Sequence, residues 1–287
     1  MSGTVFALAA ALFWAVATRL YRQMADYWSP VGLATVKATL STVLFLIWFI
    51  AAGIPFLSHD ATTIGWLLGS GVVGIAIGDS ALFYALYRMG ERQTLLIAET
   101  AAPIIVAISA FLLLAETLTL RQIAGIALIV IGIDWVIGIR RGRQHYDWIG
   151  VLWALLAAGC QAFGMVVSRT VLTQTEITAE ETAFWRMLGA SLALPIWLVV
   201  SRQRILPAKP LTASVTARLL VAILLGTFLG ILFLQIAVDR LPAGIAQALI
   251  ATSIIFATAI AALRDGVDPR QWPGVMVAVA GVALVVV

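Results

Sequence analysis

The chain has 287 residues, of which 62% are hydrophobic and only 11% charged, with a formal net charge of +4 and a mean hydropathy of +1.04. A soluble globular domain is about half apolar and about a quarter charged, so that class is excluded and a lipid-embedded chain is implied. The single cysteine, Cys160, excludes an intrachain disulfide framework and a thiolate metal cage, and the scattered basic residues form no stripe that would hold nucleic acid.

A membrane-crossing helix needs about 20 mostly apolar residues. In chain order, ten such spans are predicted at 3–20, 31–52, 63–88, 93–115, 121–139, 148–170, 179–200, 214–238, 242–263 and 271–287. The first begins directly after Met1-Ser2-Gly3 with no cationic leader, so it is expected to stay in the mature chain. Turn and charge signals mark the breaks: Ser29-Pro30, Gly53-Ile54-Pro55, Gly90-Glu91-Arg92, Arg140-Arg141-Gly142-Arg143, Pro207 with Pro210, Asp239-Arg240-Leu241-Pro242 and Arg264-Asp265-Gly266. The spans are too long and too evenly apolar for the alternating strands of a barrel, so the fold class is an all-α polytopic membrane protein. The last span runs to Val287, which leads to the expectation that a tail has been removed.

The chain is also internally repeated. Residues 31–50 and 182–200 are two copies of one segment, with Lys37 and Arg186 lying 149 positions apart, as do Trp48 and Trp197. Arg121-Gln122, Gly125 and Gly132 recur at the same offset as Arg270-Gln271, Gly274 and Gly281, and Glu116 recurs as Asp265. This divides the chain into a first five-helix repeat, 1–140, a basic linker, 141–147, and a second repeat, 148–287. Five spans is an odd number, so the second copy enters the membrane inverted, the arrangement of alternating-access transporters with a site in a central cavity near the bilayer midplane. The odd-numbered connectors hold thirteen of the eighteen Lys and Arg residues, so they are expected to be cytoplasmic and both termini external.

Ionisable groups at bilayer depth are expensive and usually functional. Lys37 lies roughly 10 Å into the second span at 1.5 Å per residue, and Asp79 and Glu99 lie at similar depth in the third and fourth. The plain alternative is a buried ion pair that only orders the bundle. Arg186 has Ile231 and Ala248 at the positions corresponding to Asp79 and Glu99, so its nearest carboxylates in sequence are Glu180 and Glu181. A guanidinium without a matching acid suits a substrate carboxylate. Gln161, Gln235, Gln247, Thr252 and Ser253 are read as interhelical hydrogen-bonding groups that also imply a wet centre. Trp28, Trp48, Trp66, Trp148, Trp197 and Trp272 fall at span ends and read as interface anchors. Trp14 and Trp185 lie deeper, and with Phe83, Tyr84, Tyr87 and Phe163 they are candidate cavity aromatics. Gly65/Gly69, Gly74/Gly78 and Gly226/Gly230 have helix-packing spacing, making spans three and eight candidate sliding elements. Pro103, with Gly78 and Gly230, is a candidate hinge. His59 and His145 fall in connectors, and no nucleotide loop, metal signature or nucleophile elbow is present, so no cofactor, no metal and no enzyme activity are expected.

The duplicated five-span pattern, the Lys or Arg early in spans two and seven, and the run Glu116-Thr117-Leu118-Thr119-Leu120-Arg121-Gln122-Ile123-Ala124-Gly125 resemble the EamA family of the drug/metabolite transporter superfamily, within it most like the YddG exporters of aromatic amino acids. The resemblance implies a basket of spans one to four and six to nine, with five and ten peripheral. The second copy departs from the pattern, with Thr252 for the usual proline and Asp265-Gly266-Val267-Asp268 for the acidic motif. The expected function is export of small amphipathic metabolites, foremost aromatic or large apolar amino acids, from an inner membrane by alternating access. Lys37, Asp79, Glu99 and Arg186 are the candidate charged contacts, protons a candidate coupling ion, and a monomer sufficient. The rivals are an exchanger of nucleotide sugars or other anionic metabolites, and a non-transporting scaffold or receptor.

Overall fold

The computed structural model describes residues 2–54, 59–138, 147–265, 270 and 272–286. Pro55, the basic stretch from Arg140 to Arg143, His145, the Gly266-Val267-Asp268 run and Val287 lie outside the described residues. All regular structure among the described residues is helical: α1 (Gly3–Gln23), α2 (Pro30–Ala52), α3 (Ala61–Gly90), α4 (Gln93–Leu114), α5 (Leu120–Gly138), α6 (Trp148–Gln174), α7 (Ala179–Val200), α8 (Ala213–Arg240), α9 (Ala243–Ala251 continued by Ser253–Asp265) and α10 (Trp272–Val286). Eight of these, α1–α4 and α6–α9, are long and apolar enough to cross a membrane. Their outward faces carry exposed Ile47, Leu113, Val199 and similar side chains, as a hydrocarbon solvent requires.

Local chemistry sets most of the ends. Ser29, Asp60, Asp147, Thr178 and Thr212 each accept a backbone N–H in the first turn of the helix they precede. Thr178 and Glu181 complete a reciprocal capping box at α7. Asp147 also takes the Arg88 side chain at 2.8 Å, and that hydrogen bond holds its carboxyl below the ordinary aspartate range. Gly53 ends α2 at φ 64°, and Gly90 separates α3 from α4 at φ 77°, backbone conformations that a side chain disfavours.

Two helices contain a π-helical stretch, Val72–Ile77 in α3 and Ile223–Leu229 in α8. Gly78 and Gly230, the expected hinge glycines, come immediately after these stretches. Helix α4 runs on through Pro103, and it is α9 that is interrupted, at Thr252. There the hydroxyl folds back to the Leu249 carbonyl at 2.5 Å.

Connector contacts sort into two sets. At the odd end, Trp28 donates to the Ile205 carbonyl, Tyr87 to that of Trp28, and Arg218 to Gln23. At the even end, His59 meets Glu181 and Arg169 meets Glu116. Trp28 is therefore a correction, since it is only 5% exposed and pins a connector, whereas Trp66, Trp148 and Trp272 do face outward.

Backbone approach follows glycines, but not all those the spacing suggested. A Cβ on Gly65 or Gly69 would meet nothing within 4 Å, whereas Gly71 and Gly189 hold α3 and α7 in backbone contact. Helices α5 and α10 pack on each other through Gly125 against Gly281 and Gly132 against Gly274. A Cβ on Gly132 would lie 2.6 Å from the Ala278 nitrogen. Gly132→Val should therefore destabilise the protein by about 1–3 kcal/mol through overpacking, and Gly69→Val should leave it nearly unchanged; melting temperatures in detergent check both.

Candidate functional site

A cavity runs into the middle of the bundle, its wall drawn from α1–α4 and α6–α9, with no described residue of α5 or α10 contributing. The cavity volume open to a water-sized group is about 140 Å³. The mouth leads to a vestibule at the odd end, lined by Arg19, Arg22 and Asp26, that shares Ala15, Tyr21, Phe83 and Leu86 with the cavity.

The four intramembrane charges have different surroundings. Lys37 reaches from α2 to the Asp79 carboxylate at 2.6 Å, and its ammonium lies 5.5 Å from the Tyr21 ring centre and 5.4 Å from that of Phe83. A carboxylate and two aromatic faces thus replace its hydration shell. Arg186 leaves α7 beside the Gly71–Gly189 crossing and passes between Gly74 and Gly164, where a Cβ on Gly164 would overlap its guanidinium. Its Nη1 donates to the Ser168 hydroxyl at 2.6 Å, while its Nε has no partner. Neither Glu180 nor Glu181 pairs with it, because Glu181 is occupied by the capping box and by His59 at 2.9 Å. Glu99, on α4, also lines the cavity, and its buried Oε2 meets no donor. Pro103, one turn on, has no N–H to offer the Glu99 carbonyl.

Around these charges the wall is mixed. Trp14, Phe83, Leu82 and Leu86 supply apolar surface. Gln235 lines the cavity with neither amide atom bonded, and Gln161 donates to Gln247, which sits behind it rather than on the wall. The π-helical stretch of α8 explains where Trp14 and Tyr21 point. A wide turn displaces carbonyls from the helix ladder, and Gly226 O accepts the Trp14 indole at 2.7 Å while Ala222 O accepts the Tyr21 hydroxyl at 3.0 Å. Tyr21 also bonds Thr227 at 2.6 Å.

Several sequence candidates lie elsewhere. Tyr84 stacks on Trp153 at 5.0 Å, bonds Gln203 and joins Tyr87 and Trp197 in a groove outside the cavity. Trp185 is buried against Phe184 and is not on the wall, and Phe163 faces outward beside Trp66. Sequence reasoning missed Tyr21, Thr227 and Ser168. Lys37 and Arg186 correspond in the repeat, and Tyr21 and Ser168 are separated by the 147 positions that relate Gly3 to Gly150, so aligning the cations' neighbours across the repeat was the available signal.

The sequence matches the EamA-like transporter family over residues 1–138 and 148–287. A crystal structure, one of 29 matching solved chains, superposes with a TM-score of 0.82 over 99% of this chain and 96% of its own, at 16% identity. No curated protein matches.

The Lys37–Asp79 pair makes an unequal demand on its two partners. Asp79→Asn should cost about 3–5 kcal/mol by stranding a buried ammonium, and the double variant Lys37→Met with Asp79→Asn should recover most of that loss. Thermal unfolding of the purified single and double variants checks it.

Proposed function

The chain belongs to the EamA-like transporter family, and from that premise we propose that it is a secondary transporter exporting small amphipathic metabolites, foremost amino acids with aromatic or large apolar side chains, by alternating access. The observation that carries the reading is the division of labour among the four intramembrane charges. Lys37 and Asp79 satisfy each other, while Arg186 and Glu99, which line the same cavity, each keep a buried polar atom, Nε and Oε2, without a partner. A zwitterion supplies what both lack: its carboxylate for the Arg186 fork and its ammonium for Glu99. Trp14, Phe83 and the neighbouring leucines offer the side chain an apolar wall.

In this reading α5 and α10 cross the membrane as well, the two halves are inverted copies, the odd end faces the cytoplasm and the termini face out across an inner membrane. The crossed packing supports the inversion. Ala17 of α1 lies against Gly226 of α8, and in the other direction Gly164 of α6 lies against Gly74 of α3. The vestibule then opens to the cytoplasm, where an exporter loads. Its two arginines, Arg19 and Arg22, favour a second reading, an exchanger of anionic metabolites such as nucleotide sugars. The cavity wall itself sets two carboxylates, Asp79 and Glu99, against its two cations, Lys37 and Arg186, which weighs against it.

Reconstitution in liposomes tests the proposal, with flux of phenylalanine and tryptophan measured with and without a pH gradient. Flux is expected, a gradient dependence would assign protons as the coupling ion, and Arg186→Ala or Glu99→Gln should each lower transport about 10- to 100-fold, the cost of a lost charged hydrogen bond. Normal transport by both variants would overturn the site assignment, and flux of nucleotide sugars alone would favour the second reading.

A further inference from the structure

Glu116 opens the acidic motif in the connector between α4 and α5, and the cavity makes no use of it. Its placement is set locally: α4 ends on Ala115 in the left-handed region at φ 52°, and the Glu116 N–H turns back to the Ala110 carbonyl at 3.3 Å. The side chain is thereby free to cross the even end. Its Oε1 accepts from Arg169 Nε at 2.7 Å, and its Oε2 accepts the backbone N–H of Ala243, the first residue of α9, at 2.9 Å. Arg169 in turn donates through Nη1 to the carbonyls of Val238 and Asp239, each at 2.8 Å, at the end of α8. Each charge sits at the helix terminus whose dipole it complements, the carboxylate at the start of α9 and the guanidinium at the finish of α8. Both side chains are largely buried, at 15% and 17% exposure.

Each helix that the clasp grips also carries nearby a residue of the cavity wall or one bonded to it. Ser168, which holds Arg186, precedes Arg169; Gln235 is one turn before Val238; Gln247 is one turn after Ala243. The segment that the clasp grips has a hinge at each end. Gly230–Arg240 and Ala243–Ala251 form a short helical hairpin, bounded by the π-helical stretch Ile223–Leu229 on one side and by the break at Thr252 on the other. None of the described residues of the even connectors lines the cavity, which opens at the opposite end.

We propose that Glu116 and Arg169 are the gating residues of the even end: their ion pair holds the 230–251 hairpin shut over the cavity floor, and transport requires it to break and re-form. The inference rests on the alternating-access part of the function proposed above and on no particular substrate. A buried charge pair is suited to such a latch because it is strong when its geometry is complete and loses most of its value once one partner moves.

The test reads accessibility. In a Cys160→Ser background, Met165→Cys places one thiol on the cavity wall, and a membrane-impermeant thiol reagent is applied to oriented vesicles from each side. With the clasp intact, labelling is expected only from the vestibule side. Glu116→Gln and Arg169→Gln should each raise labelling from the even side about tenfold or more, and Arg169→Lys, which keeps the charge, should restore much of the closed behaviour. Labelling from the vestibule side in the same variants verifies that they are folded. Unchanged even-side labelling in both glutamine variants would overturn the gate, whatever happens to melting temperature. The measurement needs no substrate, so absence of amino acid flux would sink the substrate assignment and leave this result standing.

Discussion

A charge buried among apolar helices must find its partners within the protein, and the placement of Arg186 depends on this more than on any other contact. A guanidinium carries five donors and its own width into a space where hydrocarbon offers neither acceptors nor room. The chain answers by removing side chains: Gly71 and Gly189 let α3 and α7 meet backbone to backbone, and Gly74 and Gly164 open the slot through which the side chain passes. Ser168 takes one donor. The Arg186 Nε is left without a hydrogen-bond partner, and the residue lines the cavity beside Lys37, Asp79 and Glu99.

The other buried charges follow the same constraint with different answers. Lys37, a compact ammonium on a flexible stem, is enclosed by Asp79 and two rings. Glu116 and Arg169 neutralise each other and two helix ends at once. Tyr21 and Trp14, uncharged but carrying donors, are satisfied by carbonyls that the π-helical stretch of α8 offers them. Arg186, Glu99 and Gln235, each with buried polar atoms that no hydrogen bond satisfies, lie together on the cavity wall. That cavity shares lining residues with the vestibule.

Much of this was readable beforehand, and the misreadings share a cause. Helix positions came through within a few residues because span length and capping residues such as Ser29, Asp60 and Thr178 act locally. Of the ten expected spans, eight meet the length and apolarity of a membrane crossing, and α5 and α10 stand as a glycine-packed pair of helices. The intramembrane charges were found because such residues are rare at that depth. Glycine spacing misled at Gly65 and Gly69, where the regular interval exists without a partner helix, and the small residues that matter, Gly71 and Gly164, have no distinguishing pattern. Pro103, a candidate hinge, lies inside a continuous α4, and the helix interruption falls in α9 at Thr252. Tyr84 and Trp185 were grouped with the cavity by depth alone, and depth does not say which side of a helix faces inward.

The amino-acid sequence by itself determined that this is a helical membrane protein in two similar halves, with four charges committed to its interior, because apolar length, internal offset and the cost of burying an ion are properties of the chain alone. Only the tertiary structure decided that Lys37 belongs to Asp79, that Arg186 Nε and Glu99 Oε2 are left without hydrogen-bond partners, and that Glu116 ties α8 and α9 to α6. Those outcomes rest on rotation of each helix about its axis and on close approach between distant segments. A run of uniformly apolar residues leaves both open, since in lipid any face can point outward, and only the glycine contacts and the matching of buried donors to acceptors choose among them.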